Sequence, residues 1–548
     1  MSLQENIKLF LHSLAYRINN YVNPKQIFFN IIFFYKTQCL LGNKKLKLNS
    51  KHNRKRAAVF CYGNMNSILM QSFHIKSLNE LGYKIIGILD NYNLSIQKLY
   101  KKFGVNEFVY LDPYVFVSKK PKNISVDISN IKNVKKFNYR NIPVGKLALS
   151  TTMRLLKKSR FNNLEMKILS EKILNSVKVV DIYYLLINKI KPEICIFLDR
   201  GYTPEAELFE VAIQNKIECV EIHLSHRSEY LTFKRYNKKN RFMHFNSLSK
   251  KTWKNIETKK ISKVQENEFL KELNFCYNSG RWYEEVGTQY DKVFVSKEQF
   301  YNSLQLDKNL KTAVLFSHIF WDGTFFYGKD LFTDYEDWFK ETIKIMIKNK
   351  NMNWLIKVHP ANKVKDARDN MSNYSEFNAI KDIINKLPKN IKLIDFDHKV
   401  STLSYFNIID YCLTVRGTVG IEAACFGIPV ITAGSGRYDN LGFTKDHKNK
   451  KDYLNTILNL HKVKVNKEKT KQLALKFAYY LYIIRTFSTD HLHFYFDKND
   501  KNDNNSMFCN IKNSNHNELF DVDGINKLKD WILSKEEDYL EIKKYNYD

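Results

Sequence analysis

The sequence has few cysteines, glycines and prolines for a chain of 548 residues, and each shortage removes a class of protein. Its 8 cysteines include no Cys-x-x-Cys pair, which argues against a disulfide framework or a structural zinc site. With 18 glycines and 9 prolines, the chain is neither collagen-like nor a proline-rich low-complexity protein. It shows no secretory signal pattern and no apolar run near the ~20 residues that a membrane span needs. We therefore expect a cytoplasmic protein with buried free thiols.

Positive charge is in large excess, with 88 Lys and Arg against 57 Asp and Glu, a net charge of +31. The lysines are scattered, and no helix-turn-helix, zinc-finger or RNP-type motif accompanies them, so we expect no nucleic-acid partner. The charge instead favours anionic partners such as nucleotide phosphates, lipid headgroups or an acidic polysaccharide. Hydrophobic residues make up 44% of the chain, enough to bury a core.

Residues 1–50 form a basic, amphipathic N-terminal segment. Its strongest apolar run, 27–35, is flanked by Lys25 and Lys36 and followed by further lysines. Two interpretations stay open. The segment is either an ordinary helix packed on the body of the protein, or a peripheral contact with the anionic inner face of a membrane.

After residue 50 the sequence alternates between short apolar runs and helical stretches, which is typical of parallel sheets covered by helices. This predicts an α/β fold with two Rossmann-like domains facing a cleft and an extra N-terminal helical segment. We place the first domain at 51–305 and the second at 306–465. Residues 466–548 are expected to be C-terminal helices with a flexible polar insert at 498–518. The strands are predicted at 57–62, 84–90, 107–111, 193–198, 217–223, 312–317, 353–358, 391–396, 411–415 and 429–432.

A glycine-containing turn follows the predicted strand 411–415. Gly417 and Gly420 flank the start of a helix whose free N–H groups can bind a phosphate. Glu422 stands one turn into this helix, where its carboxylate can accept hydrogen bonds from ribose hydroxyls. The candidate nucleotide-binding residues here are Arg416, Gly417, Thr418, Gly420 and Glu422.

The string Gly-Thr-x-Gly-x-Glu at 417–422, followed by Gly-x-Pro-Val at 427–430, resembles GT-B glycosyltransferases. The loop 436–444 is similar to capsule polysaccharide synthesis proteins, including capsule Kdo transferases. Lys357-x-His359-Pro360 is similar to the His-Pro motif of bacterial GT-B sialyltransferases and of CDP-glycerol-type polymerases. The resemblance covers about 311–446. It implies the GT-B fold, a cytidine nucleotide donor, and no bound metal.

The ends of the predicted strands supply the remaining candidates. Lys357 and His359 follow one strand and can neutralise a departing phosphate, while His318 follows another and can contact phosphate or sugar. Asp322 and Asp199 are both candidates for the base that takes the acceptor proton. Asp322-Gly323 matches only part of the sialyltransferase acidic-acidic-Gly motif, because Trp321 replaces the first acid. The candidate acceptor-binding residues are Arg200, His226, Arg227 and Arg235.

Together these features predict a glycosyltransferase of bacterial surface polysaccharide synthesis, of either capsule or lipopolysaccharide. The donor is expected to be a CMP-activated acidic sugar and the acceptor a glycan or a lipid-linked glycan, with no cofactor beyond the donor. Three alternatives stay open. They are a CDP-polyol phosphotransferase of teichoic-acid type, a UDP- or GDP-hexose transferase, and an inactive binding or scaffold protein with the same fold.

Overall fold

The computed structural model of the protein describes residues 3–41, 48–49, 54–118, 124, 126–284, 288–362, 375–396, 398–489, 492–496, 507–511 and 520–541. Within these ranges the two predicted parallel sheets are present, one in each domain. The predicted α/β fold class is therefore confirmed, including the helical segment that precedes the first domain.

The first sheet is mostly parallel, and its central strands are buried on both faces, as helix-covered parallel strands require. Its strands are β1 (Arg56–Phe60), β2 (Lys84–Leu89), β3 (Glu107–Tyr110), β4 (Ile194–Phe197), β5 (Glu218–Leu224), β6 (Tyr230–Tyr236) and β13 (Phe487–Ser488). The order in the sheet is β13-β6-β5-β4-β1-β2-β3, with β6 and β13 antiparallel to their neighbours. The sequence patterns indicated β1 to β5 but neither antiparallel strand.

The second sheet is parallel throughout the described strands. It contains β7 (Lys311–Phe316), β8 (Met352–Lys357), β9 (Ile391–Ile394), β10 (Tyr411–Thr414), β11 (Val430–Thr432) and β12 (Thr444–Lys445), in the order β12-β11-β10-β7-β8-β9. All six residues of β8 are buried. The carboxyl ends of β7, β8 and β10, which neighbour each other, therefore deliver their following residues to one edge of the sheet.

Helices cover the sheets and connect them. Those of the first domain are α3 (Met65–Glu80), α4 (Leu94–Phe103), α5 (Leu111–Val117), α6 (Ile131–Lys136), α7 (Val144–Leu156), α8 (Asn163–Ile190) and α9 (Glu205–Gln214). The connecting region contains α10 (Lys250–Ile256), α11 (Lys263–Ser279) and α12 (Lys297–Leu304). The second domain adds α13 (Tyr335–Lys348), α14 (Ser375–Lys381), α15 (Thr402–Tyr405), α16 (Thr418–Cys425) and α17 (Lys450–Leu458).

The C-terminal part of the chain crosses back to the first domain. Helix α18 (Lys467–Tyr479) continues into a π-helical turn, Tyr480–Ile484, and β13 then pairs with β6. Helix α19 (Val522–Ser534) packs against α3. The prediction that 498–518 is a flexible insert is corrected in part, because residues 507–511 form strand β15, which pairs with β14 (Leu492–Phe496). The rest of 498–518 lies outside the described residues.

Two helices precede the first domain, α1 (Leu3–Val22) and α2 (Pro24–Leu41). They pack on α5 and α4, respectively. Among the helices described, none is both long enough and apolar enough to span a bilayer.

Candidate functional site

A cavity of about 370 Å³ lies between the two domains. Its floor is the carboxyl edge of the second sheet, at the ends of β7, β8 and β10. The opposite wall comes from the segment after β6 and from the end of α11. The sequence-predicted residues that line it are His318, Asp322, Lys357, His359, Arg416, Gly417, Thr418 and Glu422. An interdomain cleft at strand ends is where ligands of such folds bind.

Lys357 places a buried positive charge in this cavity. Lys357 is the last residue of β8, is only 5% exposed, and lines the cavity. No carboxylate among the described residues pairs with its Nζ, whose nearest described aromatic contact is the Tyr405 ring at 5.6 Å. Burial lowers the pKa of Lys357 to about 8, and the nearby Lys292 adds to the effect. The lysine is thus an uncompensated cation that an anionic ligand would stabilise.

The N-terminus of α16 opens onto the same cavity. Gly417 is its N-cap and has no side chain to accept a hydrogen bond from the first turn, and Gly417, Thr418 and Val419 all line the cavity. The free N–H groups of the first turn are suited to an anion. Gly420 has a different role, because a Cβ there would lie 2.3 Å from the Tyr438 hydroxyl.

Two arginines lie beside this helix and differ in their hydrogen-bond partners. Arg416 is paired with Asp330, and its Nε and Nη1 donate to the Ser435 carbonyl and the Tyr335 hydroxyl, each at 3.0 Å. Its main effect is to hold the surrounding loops. Arg437 also lines the cavity, and its buried Nε has no hydrogen-bond partner among the residues described. The sequence motifs included Arg437 only as part of a loop, so its place in the cavity was missed.

The two histidines of the cavity have defined hydrogen-bonding roles. The Val415 backbone N–H donates to His318 Nε2 at 3.2 Å, so the neutral His318 ring carries its proton on Nδ1. Burial lowers the pKa of His318 well below its usual value, with His359 and Arg416 contributing. His359 Nδ1 accepts the Ala361 N–H at 3.2 Å, which leaves Nε2 as the donor of the neutral ring. Each neutral ring therefore has one N–H donor, and both histidines line the cavity.

A buried carboxyl group, Glu376 on α14, ties two strand-end loops together. Its Oε1 accepts hydrogen bonds from Ser317 Oγ at 3.0 Å and from Asn362 Nδ2 at 2.8 Å. Ser317 follows β7, and Asn362 belongs to the turn that begins at His359. Burial raises the pKa of Glu376 to about 7. Glu376 thus positions the loops that carry His318 and His359.

We expect Glu376→Gln to stabilise the protein at pH 8 and to leave its stability unchanged near pH 4.5. The folded-state pKa is about 7 against an ordinary 4.5, so unfolding releases a proton between these values and wild-type stability falls as pH rises through this window. The full difference is about 3 kcal/mol at most. Glutamine keeps the accepting oxygen. Urea unfolding at pH 4.5 and 8 measures the effect.

The matched control is Glu341→Gln on α13. Lys344 and Lys450 hold the pKa of Glu341 below its usual value, so this variant should lose a small amount of stability at pH 8. A Glu376→Gln protein no more stable than the wild type at pH 8 would contradict the assignment of a buried, proton-binding carboxyl.

Asp322 and Asp199, the two candidate bases, have different surroundings. Asp322 lines the cavity and accepts a hydrogen bond from the Tyr202 hydroxyl of the first domain at 2.8 Å. Asp199 does not line the cavity, and its Oδ2 accepts from Arg154 Nη1 at 2.7 Å. The structure therefore brings Asp322, and not Asp199, together with Lys357 and His359.

Glu422 and a group of aromatic side chains close the other side of the cavity. Glu422 is buried and accepts a hydrogen bond from the Tyr277 hydroxyl, and burial raises its pKa. The aromatic residues that line this wall are Phe245, Tyr277, Trp282, Tyr283 and Tyr327. None of them is among the residues predicted from sequence, although 225–310 is rich in aromatics. Flat rings of this kind suit the base or sugar of a nucleotide donor.

The residues predicted to bind an acceptor do not line the cavity. Arg200 is buried, and its three nitrogens donate to Glu221 Oε2 and to the carbonyls of Arg241 and Met243 at 2.7 to 2.9 Å. Its role is corrected to a structural one, because each of its nitrogens is already engaged, the side chain is buried and it does not line the cavity. His226 and Arg227 both bond to Glu272, and Arg235 is engaged by Glu218 and by carbonyls of α19.

One group among the described residues has metal-ligand chemistry, namely His226, Glu272 and Cys276, whose ligand atoms lie within 4.8 Å of one another. Arg227 Nη1 already donates to Glu272 at 3.0 Å. Burial raises the pKa of the Cys276 thiol, which disfavours the thiolate that a metal needs. These contacts form a hydrogen-bonded cluster outside the cavity.

Comparisons with known proteins bear on the part of the chain that forms the cavity. Residues 220–482, which include every cavity-lining residue, match the family model described as "Capsule polysaccharide biosynthesis protein". No curated protein matches the sequence. The predicted resemblance to capsule polysaccharide biosynthesis proteins is therefore confirmed over this region.

Several solved structures are similar to the chain at low identity. The β-Kdo 2,4-transferase of KpsC from Thermosulfurimonas dismutans has 13% identity and a TM-score of 0.34, covering 62% of this chain and 87% of that one. The β-Kdo 2,7-transferase of the same protein has 13% identity and a TM-score of 0.32, covering 73% and 98%. A putative UDP-N-acetylglucosamine 2-epimerase from Listeria monocytogenes has 12% identity and a TM-score of 0.27, covering 78% and 94%.

Proposed function

We propose that the protein is a glycosyltransferase of bacterial surface polysaccharide synthesis whose donor is a CMP-activated acidic sugar. The observation that carries the proposal is the cavity itself. It combines Lys357 and the Nε of Arg437, neither of which has a partner within the described part of the chain, with the open N-terminus of α16, all at one space between two domains. Such a group of donors suits a ligand with two negative charges, as a phosphodiester plus a sugar carboxylate has.

In this reaction the acceptor hydroxyl oxygen bonds to the anomeric carbon of the donor while the bond from that carbon to the phosphate oxygen breaks. CMP leaves with the electron pair of the broken bond. Lys357, His359 Nε2–H and the first turn of α16 stabilise the charge that grows on the phosphate, so we propose that no metal ion is needed. Asp322 takes the acceptor proton. The enclosing aromatic wall limits the access of water to the donor.

We expect CMP to stabilise the wild-type protein against heat. In His359→Ala, the CMP concentration needed for the same thermal shift should rise at least tenfold. A ligand at 100 times its Kd stabilises by about 2.7 kcal/mol. His359 lines the cavity and offers one hydrogen bond, which explains the size of the loss. The measurement is a thermal-shift titration with CMP, CDP, UDP and GDP. His461→Ala is the matched control, because His461 does not line the cavity.

Each other outcome of this titration rejects part of the proposal. Stabilisation by UDP or GDP alone would reject the cytidine donor and indicate a UDP- or GDP-hexose donor instead. Stabilisation by CDP in preference to CMP would favour the polyol-phosphate reaction. No response to any nucleotide would overturn the enzyme assignment in favour of a scaffold protein, and an unchanged response in His359→Ala would remove His359 from the site.

A further inference from the structure

Helices α1 and α2 present an unusual surface. More than half of the large apolar side chains that are exposed in the described part of the chain belong to these two helices. In α1, Ile7, Leu11, Leu14 and Ile18 recur every three or four residues and are between 41% and 57% exposed. This spacing places them along one face of the helix.

The opposite face of α1 is the one that holds it to the body of the protein. The Tyr16 hydroxyl donates to Asp112 Oδ2 at 2.8 Å, and Asn20, 4% exposed, donates to the Tyr92 carbonyl at 2.7 Å. At 100° per residue, Tyr16 and Asn20 lie about half a turn from the stripe that contains Ile7 and Ile18. The helix is thus held by polar contacts and turns its apolar stripe outward, the reverse of the usual arrangement.

Helix α2 repeats this arrangement. Phe33 and Thr37 are buried against the body, and Ser95 Oγ donates to Asn30 Oδ1 at 2.8 Å. The other face carries Phe28, Ile31 and Tyr35, each at least 62% exposed. An apolar surface of this extent marks an interaction site in a folded protein.

The charge of this region identifies the kind of partner. Residues 1–56 contain a single acidic residue, Glu5, against a large set of basic ones. The basic residues are Lys8, Arg17, Lys25, Lys36, Lys44, Lys45, Lys47, Lys51, Arg54, Lys55 and Arg56. A second copy of the chain would bring a like-charged region against this one, which is unfavourable. An anionic bilayer surface complements both the apolar stripe and the charge.

A groove of about 510 Å³ between α2, the end of α1 and α4 adds an independent observation. Its lining is mostly apolar and includes Ile27, Ile31 and Phe34. Lys98 and Lys102 of α4, one helical turn apart, also line it. An apolar groove bordered by two lysines has the chemistry to hold an acyl chain beneath an anionic headgroup.

We infer that α1 and α2 together form a membrane-docking element that lies on an anionic bilayer surface. The residues that hold α1 follow the carboxyl ends of first-sheet strands: Tyr92 comes after β2, and Asp112 comes after β3. Tyr202, which follows β4 at the same edge, contacts Asp322 of the second domain. The two helices are therefore attached at the sheet edge whose Tyr202 contacts the cavity residue Asp322. If the proposed function holds, docking would bring a lipid-linked acceptor to that edge.

The test is co-sedimentation of the full-length protein with phosphatidylcholine vesicles, with and without 30% phosphatidylglycerol. We expect binding to the anionic vesicles alone, and a loss of binding in 0.5 M salt. The triple variant Phe28→Ser, Ile31→Ser, Tyr35→Ser should reduce the partition coefficient at least tenfold. The matched control is Leu164→Ser, Val264→Ser, Leu533→Ser, three apolar residues with similar exposure elsewhere, which should bind as the wild type does.

Either of two results would overturn the inference. One is that the wild type stays in the supernatant with anionic vesicles, and the other is that the α2 triple variant binds as well as the wild type. A concentration-dependent dimer that the α2 variant abolishes, without vesicle binding, would assign the surface to self-association. Thermal melts check that both variants are folded. Vesicle binding needs no nucleotide, so it fails or succeeds independently of the CMP titration that tests the proposed function.

Discussion

Lys357→Met is expected to yield a protein that is more stable than the wild type at pH 7 and has lost most of the proposed transferase activity. Lys357 is buried in the cavity with no carboxylate partner among the described residues, so its charge is a net cost in the unliganded protein. Methionine fills a similar volume and requires no partner. The activity should fall because the cation proposed to stabilise the leaving phosphate is removed, an effect on the order of 10²–10³-fold.

The stability difference has a defined pH dependence. The pKa of Lys357 is lowered from 10.5 to about 8 in the folded protein, so the unfolded chain binds more protons between these values. Wild-type stability therefore rises with pH through this window, and the advantage of Lys357→Met is full below pH 8 and absent above pH 10.5. Its size at pH 7 is about 3 kcal/mol at most. Urea unfolding of both proteins at pH 7 and 10.5 measures it.

Lys311→Met provides the matched control for this prediction. Lys311 begins β7 at the opposite end of the same sheet, where its Nζ donates to the Tyr411 hydroxyl and the His461 carbonyl, each at 3.2 Å. This variant should keep its activity within about twofold, as surface substitutions usually do. Full activity in Lys357→Met, or a loss of stability at pH 7, would show that Lys357 is not the uncompensated phosphate ligand.

Asp322→Asn is expected to lower kcat by about 10²–10⁴-fold, the usual contribution of a general base, while CMP binding stays unchanged. Asparagine keeps the oxygen that accepts the Tyr202 hydroxyl and loses only the ability to take a proton. The variant therefore removes the proposed chemistry with little change in geometry. Steady-state kinetics give kcat and KM, and the nucleotide titration gives donor-site binding in the same protein.

Asp199→Asn is the comparison that tests the other candidate base. It weakens the ion pair with Arg154, whose side chain is 45% exposed, so its cost in stability should stay below about 1 kcal/mol. Because Asp199 does not line the cavity, kcat should remain within a few-fold of the wild type. If instead Asp199→Asn abolishes activity and Asp322→Asn does not, the base is Asp199 and the productive state of the cleft differs from the one described.

Sequence patterns were most informative where interactions between residues close together in the chain determine the structure. Strands β1 to β5 were predicted within about two residues of their bounds, because continuous apolar runs bounded by turns are typical of doubly covered strands. The patterns missed β6 and β13, whose antiparallel pairing joins residues 230–231 to 487–488. Such a pairing depends on where the chain returns after a whole further domain, and no short window of sequence contains that information.

The candidate site shows the same difference between features that depend on nearby residues in the chain and features that depend on distant ones. Lys357, His359, Gly417 and Thr418 were predicted together because the carboxyl ends of parallel strands share one edge. Arg200 was misassigned because the residue that engages it, Glu221, is distant in sequence and becomes its neighbour only through the pairing of β4 with β5.

The fold class, the parallel strands of both sheets and the basic, glycine-capped edge of the second sheet could be read from the amino-acid sequence. These depend on hydrophobic periodicity and on residues that stand next to each other in the chain. Three features became visible only in the folded chain: Asp322 rather than Asp199 lines the cavity, Arg437 and the aromatic wall complete it, and α1 turns its apolar stripe outward. These depend on how separate segments pack, because burial and charge compensation are properties of neighbours in space.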